Sequence, residues 1–150
     1  MLINVVIRAI NMNGGQADNM VEVPRSATVQ EASGILAARN VGLGLVCDDD
    51  GRVEGVISER DIIRGLADQG SDFLNNHIEQ IMKTPAATCT REDDARDVIK
   101  RMHEHGYRHM PVVEDGKPVG IISSRDVLRY LVDKLTPGDQ ERLWSESVWL

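Results

Sequence analysis

The sequence repeats itself, and the repeat limits what the chain can fold into. With Gly51 set on Gly116, residues 51–64 read GRVEGVISERDIIR and residues 116–129 read GKPVGIISSRDVLR, identical at seven of fourteen positions. One gapped residue near Asp50 carries the register upstream at an offset of 66. There Leu36 falls on Met102, Asn40 on Gly106 and Val46 on Val112. Self-similarity at such a period means two copies of one supersecondary unit. A unit of about sixty residues buries too little apolar surface to stand comfortably alone. Two of them gain by packing sheet against sheet, giving a pseudo-two-fold molecule with a cleft on its axis.

Each unit carries the same punctuation. In the first, Val21 and Val23 alternate as on a strand, and Thr28 with Glu31 forms a capping box. Val29, Ala32, Ile35 and Leu36 then follow at helical spacing, which Asn40 or Gly42 ends. Leu43 to Cys47 predicts a strand, Asp49-Asp50-Gly51 a hairpin turn, Arg52 to Ile57 the partner strand, and a helix starts at Ser58. In the second, Asp94 caps a helix carrying Ala95, Val98, Ile99 and Met102, with Gly106 at its end. Strand Met110–Val113, turn Asp115-Gly116, strand Val119–Ile122 and a helix from Ser123 complete it. The expected fold class is α/β (α+β), two β-α-β-β-α repeats. The expected organisation is an apolar N-terminal segment at 1–15, repeat one at 16–68, a linker helix at 69–80, repeat two at 81–135 and an amphipathic tail at 136–150. In the linker, Phe73, Leu74, Ile78 and Ile81 have helical spacing and are expected to tie the units together.

Composition narrows the function. Seventeen Lys and Arg against 24 Asp and Glu give a net charge of −7, with no basic block, which disfavours nucleic acid as a partner. The aromatic residues, Phe73, Tyr107, Tyr130, Trp144 and Trp149, are too few and too scattered for a base-stacking platform. No apolar run approaches the ~18 residues of a membrane span. No secretory signal is visible, so a cytoplasmic location is expected. Cys47 and Cys89 make no disulfide framework. His103, His105 and His109 suggest a metal by spacing, but Gly106 ends the helix between them, and no metal site is expected.

The motif Gly-h-Ile-Ser-x-Arg-Asp occurs twice, at Gly55–Asp61 and at Gly120–Asp126. On spacing alone it reads as a helix cap, with Ser at the N-cap and Asp at N3. It equally places backbone N–H groups, a hydroxyl, a guanidinium and a carboxylate at one helix start. That is an anion site with an acceptor for sugar hydroxyls beside it. The chain here resembles a tandem pair of CBS (cystathionine-β-synthase) domains, a Bateman module, over roughly residues 16–135. The resemblance implies a regulatory module rather than an enzyme. It would bind an adenosine ligand (AMP, ADP or ATP, with NAD or S-adenosylmethionine as further candidates) in the inter-repeat cleft, with no cofactor required. It further implies Asp126 and Ser123 for the sugar in one site and Asp61 and Ser58 in the other. Arg60 and Arg125 would contact phosphate, as would Arg108 and His109 of the Arg-His-h-Pro-Val strand. Thr84 and Ala86 would lie near the base. A homodimer and a separate regulated protein are the implied partners. The alternative is a ligand-free scaffold in which the motif only caps helices.

The first repeat departs from the pattern. Its second strand reads Gly42-Leu43-Gly44-Leu45-Val46, without the basic pair or the proline, and Asp18 and Glu22 are expected near the base. The Asp126 half is therefore expected to bind more tightly. In the tail, Leu143, Trp144, Val148, Trp149 and Leu150 cover either the module's own surface or, the favoured reading, a second subunit.

Overall fold

The computed structural model describes Ile3 and residues 20–147. Two antiparallel hairpins form its centre. Strands β1 (Leu43–Cys47) and β2 (Val53–Ser58) make one two-stranded sheet, and β3 (His109–Glu114) and β4 (Lys117–Ser123) the other. The repeat holds down to local irregularity. The ladder of the first hairpin slips between Val46 and Cys47, and that of the second between Val112 and Val113, the equivalent pair. Gly51 and Gly116 each turn their hairpin at φ 78°, a backbone region open to glycine at no steric cost.

The strand expected at the start of each repeat is reduced to one parallel bridge, Glu22 to Leu45 and Cys89 to Val112. In the first repeat Leu45 donates to the Val21 carbonyl at 2.8 Å and Val23 donates back to Leu45 at 2.8 Å. In the second, Pro111 stands in the place of Leu45 and has no N–H to give.

Helix α1 (Val29–Arg39) starts at the Thr28–Glu31 capping box, both of whose bonds form, and ends on Asn40 in the left-handed region at φ 52°. Helix α2 (Glu59–Gln69) follows β2 directly. A 3-10 segment (Gly70–Asn75) and the single turn α3 (Ile78–Ile81) then replace the expected linker helix. Their apolar side chains do not bridge the units. Phe73 and Ile78 are buried, and Leu74 and Ile81 pack around them, within the first repeat's own core beside Val29, Leu36 and Ile57. Helix α4 (Ala95–His105) is capped by Asp94 and ends on Gly106 at φ 67°. Helix α5 (Ser124–Asp133) follows β4, and α6 (Pro137–Ser147) forms the tail. The second core gathers Val98, Met102, Met110, Ile122 and Val127, together with Ile3 from the other end of the chain.

Strand alternation joins the repeats. Ile57 and Ile122 point into their own cores, while their neighbours Val56 and Ile121 point at each other's sheet. With Leu43, Leu45 and Tyr107 they form a third buried cluster between the two hairpins, which seals the pseudo-two-fold contact. Of the remaining N-terminal segment and tail, Val148, Trp149, Leu150 and the side chains of Leu143 and Trp144 lie outside the described residues, as does Asp18.

Candidate functional site

Both motif serines take extended backbone and cap the helix that follows. Ser123 Oγ accepts from the Asp126 N–H at 3.1 Å, while Asp126 Oδ2 accepts from the Ser123 N–H at 3.1 Å and its hydroxyl at 2.5 Å. Ser58 and Asp61 repeat this with bonds of 3.2, 3.1 and 2.6 Å. The capping boxes foreseen from spacing are therefore complete in both halves. Each leaves one carboxylate oxygen, Oδ1, outside the box, and the two halves treat it differently.

Beside Asp126 lies a cleft of about 730 Å³, within the ~300–1,000 Å³ of small-molecule sites. The second repeat lines it with Arg108, His109, Ile121, Leu128 and residues 123–126. The first repeat adds residues 40–43 and Glu59. Arg108 Nη2 meets Glu59 Oε1 at 3.0 Å across the repeat boundary. Burial pushes the His109 pKa below its ordinary value. Asp126 and Glu59 oppose that shift, and Arg108 and Arg125 add to it.

In the other half a crevice of about 20 Å³ lies at the Ser58 cap, lined by Ser58, Arg60, Tyr107 and their neighbours. Lys83 Nζ sits 3.1 Å from Asp61 Oδ1 and 4.9 Å from the centre of the Tyr107 ring. Burial, and behind it the Asp61 charge, raises the Tyr107 pKa. Arg60 turns away to the Gly106 carbonyl, at 3.3 Å.

The structure regroups the sequence-predicted residues. Ser123, Arg125, Asp126, Arg108 and His109 converge on one cleft, but Thr84 and Ala86 do not join them. The main chain of Lys83 exchanges both hydrogen bonds with Val56, at 2.9 and 3.1 Å, and Ala86 donates to the Glu54 carbonyl at 3.2 Å. This edge pairing with β2 carries Thr84 and Ala86 to the Asp61 half. Glu22, expected near a base, forms the bridge to Leu45 in the first repeat. It is exposed, and its charge acts on Cys47, whose pKa burial raises first. Glu59 and Lys83 were not singled out from sequence. The repeat register held the signal, since Lys83 falls on Ala17, Tyr107 on Val41 and Glu59 on Ser124. Among the described residues no three metal-ligating side chains cluster, no helix is long and apolar enough to cross a membrane, and Cys47 and Cys89 are both free thiols.

The fold is a pseudo-symmetric tandem α/β module with an open cleft beside Asp126. Residues 16–68 and 78–133 each match the CBS domain family, and the chain belongs to it. It is 31% identical over 114 residues to the uncharacterized protein MJ1225 of Methanocaldococcus jannaschii, an alignment covering 76% of this chain and 40% of that one. Among solved structures, the CBS-domain containing protein ATU1752 from Agrobacterium tumefaciens superposes with TM-score 0.75 at 28% identity, covering 87% of this chain and 99% of that one. The CBS domain protein PAE2072 from Pyrobaculum aerophilum, solved in complex with AMP, superposes with TM-score 0.70 at 27% identity, covering 89% and 99%.

Proposed function

We propose that the chain is a regulatory, non-catalytic module that binds an adenosine nucleotide in the cleft beside Asp126. The observation that carries this reading is the convergence, around about 730 Å³, of a capped carboxylate, two guanidiniums and an imidazole. Asp126 would accept the ribose hydroxyls through Oδ1, and Ser123 would contact the sugar or phosphate. Arg125, Arg108 and His109 would face the phosphate. The base would pack against aliphatic side chains such as Ile121 and Leu128. A monophosphate suits this charge set better than a triphosphate, because Arg108 is already paired with Glu59. The AMP complex of the Pyrobaculum aerophilum relative supports the ligand class. Binding would bias the relative tilt of the repeats only as far as the ligand prefers one arrangement. A partner protein reading that tilt, in the cytoplasm, completes the proposal.

One observation favours the competing scaffold reading. Both motif carboxylates already serve as helix caps. Calorimetric titration with AMP, with NAD and S-adenosylmethionine alongside, separates the two. One equivalent of AMP should bind per chain and, at about 100 times Kd, add ~2.7 kcal/mol of stability. Asp126→Ala should weaken AMP by ~1–3 kcal/mol for each sugar hydroxyl left unpaired, and cost the apo protein only about 1 kcal/mol as a lost cap partner. Loss of stability with binding intact would leave the scaffold reading standing.

A further inference from the structure

We infer that Lys83 is an internal occupant of the Asp61 half-site, holding it closed so that the module takes one adenosine ligand where its symmetry offers two places. The inference rests on the nucleotide reading above and deepens it by fixing how many ligands bind and which residue decides that number.

Four observations carry it. Lys83 Nζ lies 3.1 Å from Asp61 Oδ1, the oxygen outside the capping box, whereas the counterpart residue Asp126 lines the open cleft. The main chain of the lysine is fixed there, because its own N–H and carbonyl are both paired with Val56 in the edge of β2. Its ammonium also sits over the Tyr107 ring, and Tyr107 is itself buried. Finally, the crevice at the Ser58 cap measures about 20 Å³, against about 730 Å³ for the cleft that Asp126 lines. The repeat register explains the difference by two side chains. Alanine 17 stands where the second repeat has Lys83, and Val41 stands where it has Tyr107. A sugar approaching Asp61 must displace a cation that already satisfies the carboxylate, and a base must find room that Tyr107 fills. Nothing equivalent opposes a ligand at Asp126 among the described residues.

The test compares AMP stoichiometry in the wild type, Lys83→Ala and the Lys83→Ala/Tyr107→Val pair, which copies the open half. The expected result is one further equivalent of AMP per chain in the pair relative to wild type, removed again by Asp61→Ala. Lys83→Ala alone should show the same extra site at weaker affinity. It guards against misfolding, since it leaves the buried tyrosine in place. No gain over wild type in a folded Lys83→Ala or double variant overturns the inference. The comparison stands apart from the proposed function. Wild type binding one AMP with no gain in the variants keeps that function and removes the plug. No binding in wild type with binding in the variants keeps the plug and removes the Asp126 site.

Discussion

His109 stands under two opposed demands on its charge. Burial disfavours the imidazolium, and the arginines at positions 108 and 125 disfavour it further, so its pKa in the apo protein lies below the ordinary value of about 6.5 despite the nearby carboxylates of Asp126 and Glu59. The unfolded chain therefore binds more protons than the native one between the native pKa and about 6.5. This contribution to stability is complete above that pH and is lost as the pH falls through the window. A phosphate in the cleft reverses the preference, because it favours the charged ring and raises the pKa in the complex. AMP affinity should then rise as pH falls from about 7, over the same range in which apo stability declines. The phosphate of AMP itself titrates near pH ~6, so the measurement is the difference between wild type and His109→Gln. Calorimetry from pH 8 to 5.5 should give a steeper rise in wild type, and thermal melts a flatter acid decline in the variant. Parallel affinity profiles would remove His109 from the phosphate.

At the scale of elements, helix α2 shows how the repeats diverge while keeping one fold. Its Gly65 lies against the Phe73 ring, so closely that a methyl group there would overlap the aromatic carbons. In the second repeat the equivalent residue is Tyr130, which packs on its own core, and no linker phenylalanine follows it. Gly65→Ala in a helix interior would ordinarily gain about 1 kcal/mol. Here overpacking against a ring only 4% exposed costs ~1–3 kcal/mol, so the net change is expected to destabilise. Urea unfolding should show a lower midpoint for Gly65→Ala and recovery in Gly65→Ala/Phe73→Leu. A gain in stability from the single change would mean the ring moves aside. The same contrast marks what the sequence could tell. The hairpins, both motif capping boxes and the helix end at Gly106 were legible, because each is written in neighbouring residues, while the sequence allows the first helix to end at Asn40 or Gly42 and it ends on Asn40. The linker was not. The spacing of Phe73, Leu74, Ile78 and Ile81 gives an apolar face without saying which core it meets, and the first repeat takes all four. The cleft was legible in part. Local motifs put Ser123, Arg125 and Asp126 together at one helix start, and all three line the cleft. The positions of Thr84 and Ala86 depended on an edge pairing between Lys83 and Val56, 27 residues apart, which no local pattern announces.

Among the described residues, α2 and α5 both carry exposed apolar side chains. Ile63 on α2 is 65% exposed and its repeat equivalent, Leu128 on α5, is 60% exposed; Leu131 and Leu135 extend the second stripe. Side chains at 128 and 131 lie three residues apart on α5, so they share a face, and Leu135 follows just past the helix end. The tail helix α6 begins beside this stripe, with Gln140 donating to the Val132 and Leu135 carbonyls at 3.0 and 3.2 Å. A stripe that recurs at equivalent positions of two repeats suits an isologous contact, in which a second copy presents the same helices. The chain is accordingly expected to be a homodimer through α2 and α5. Sedimentation at micromolar concentration should give a dimer for the wild type and a monomer for Ile63→Lys/Leu128→Lys. Both positions are exposed, so each should cost the monomer's own fold no more than about 0.5 kcal/mol. The melting temperature should then rise with protein concentration in the wild type and stay constant in the variant, as mass action requires. A wild-type monomer at that concentration would refute the contact, and an intact dimer in the variant would move it to another face.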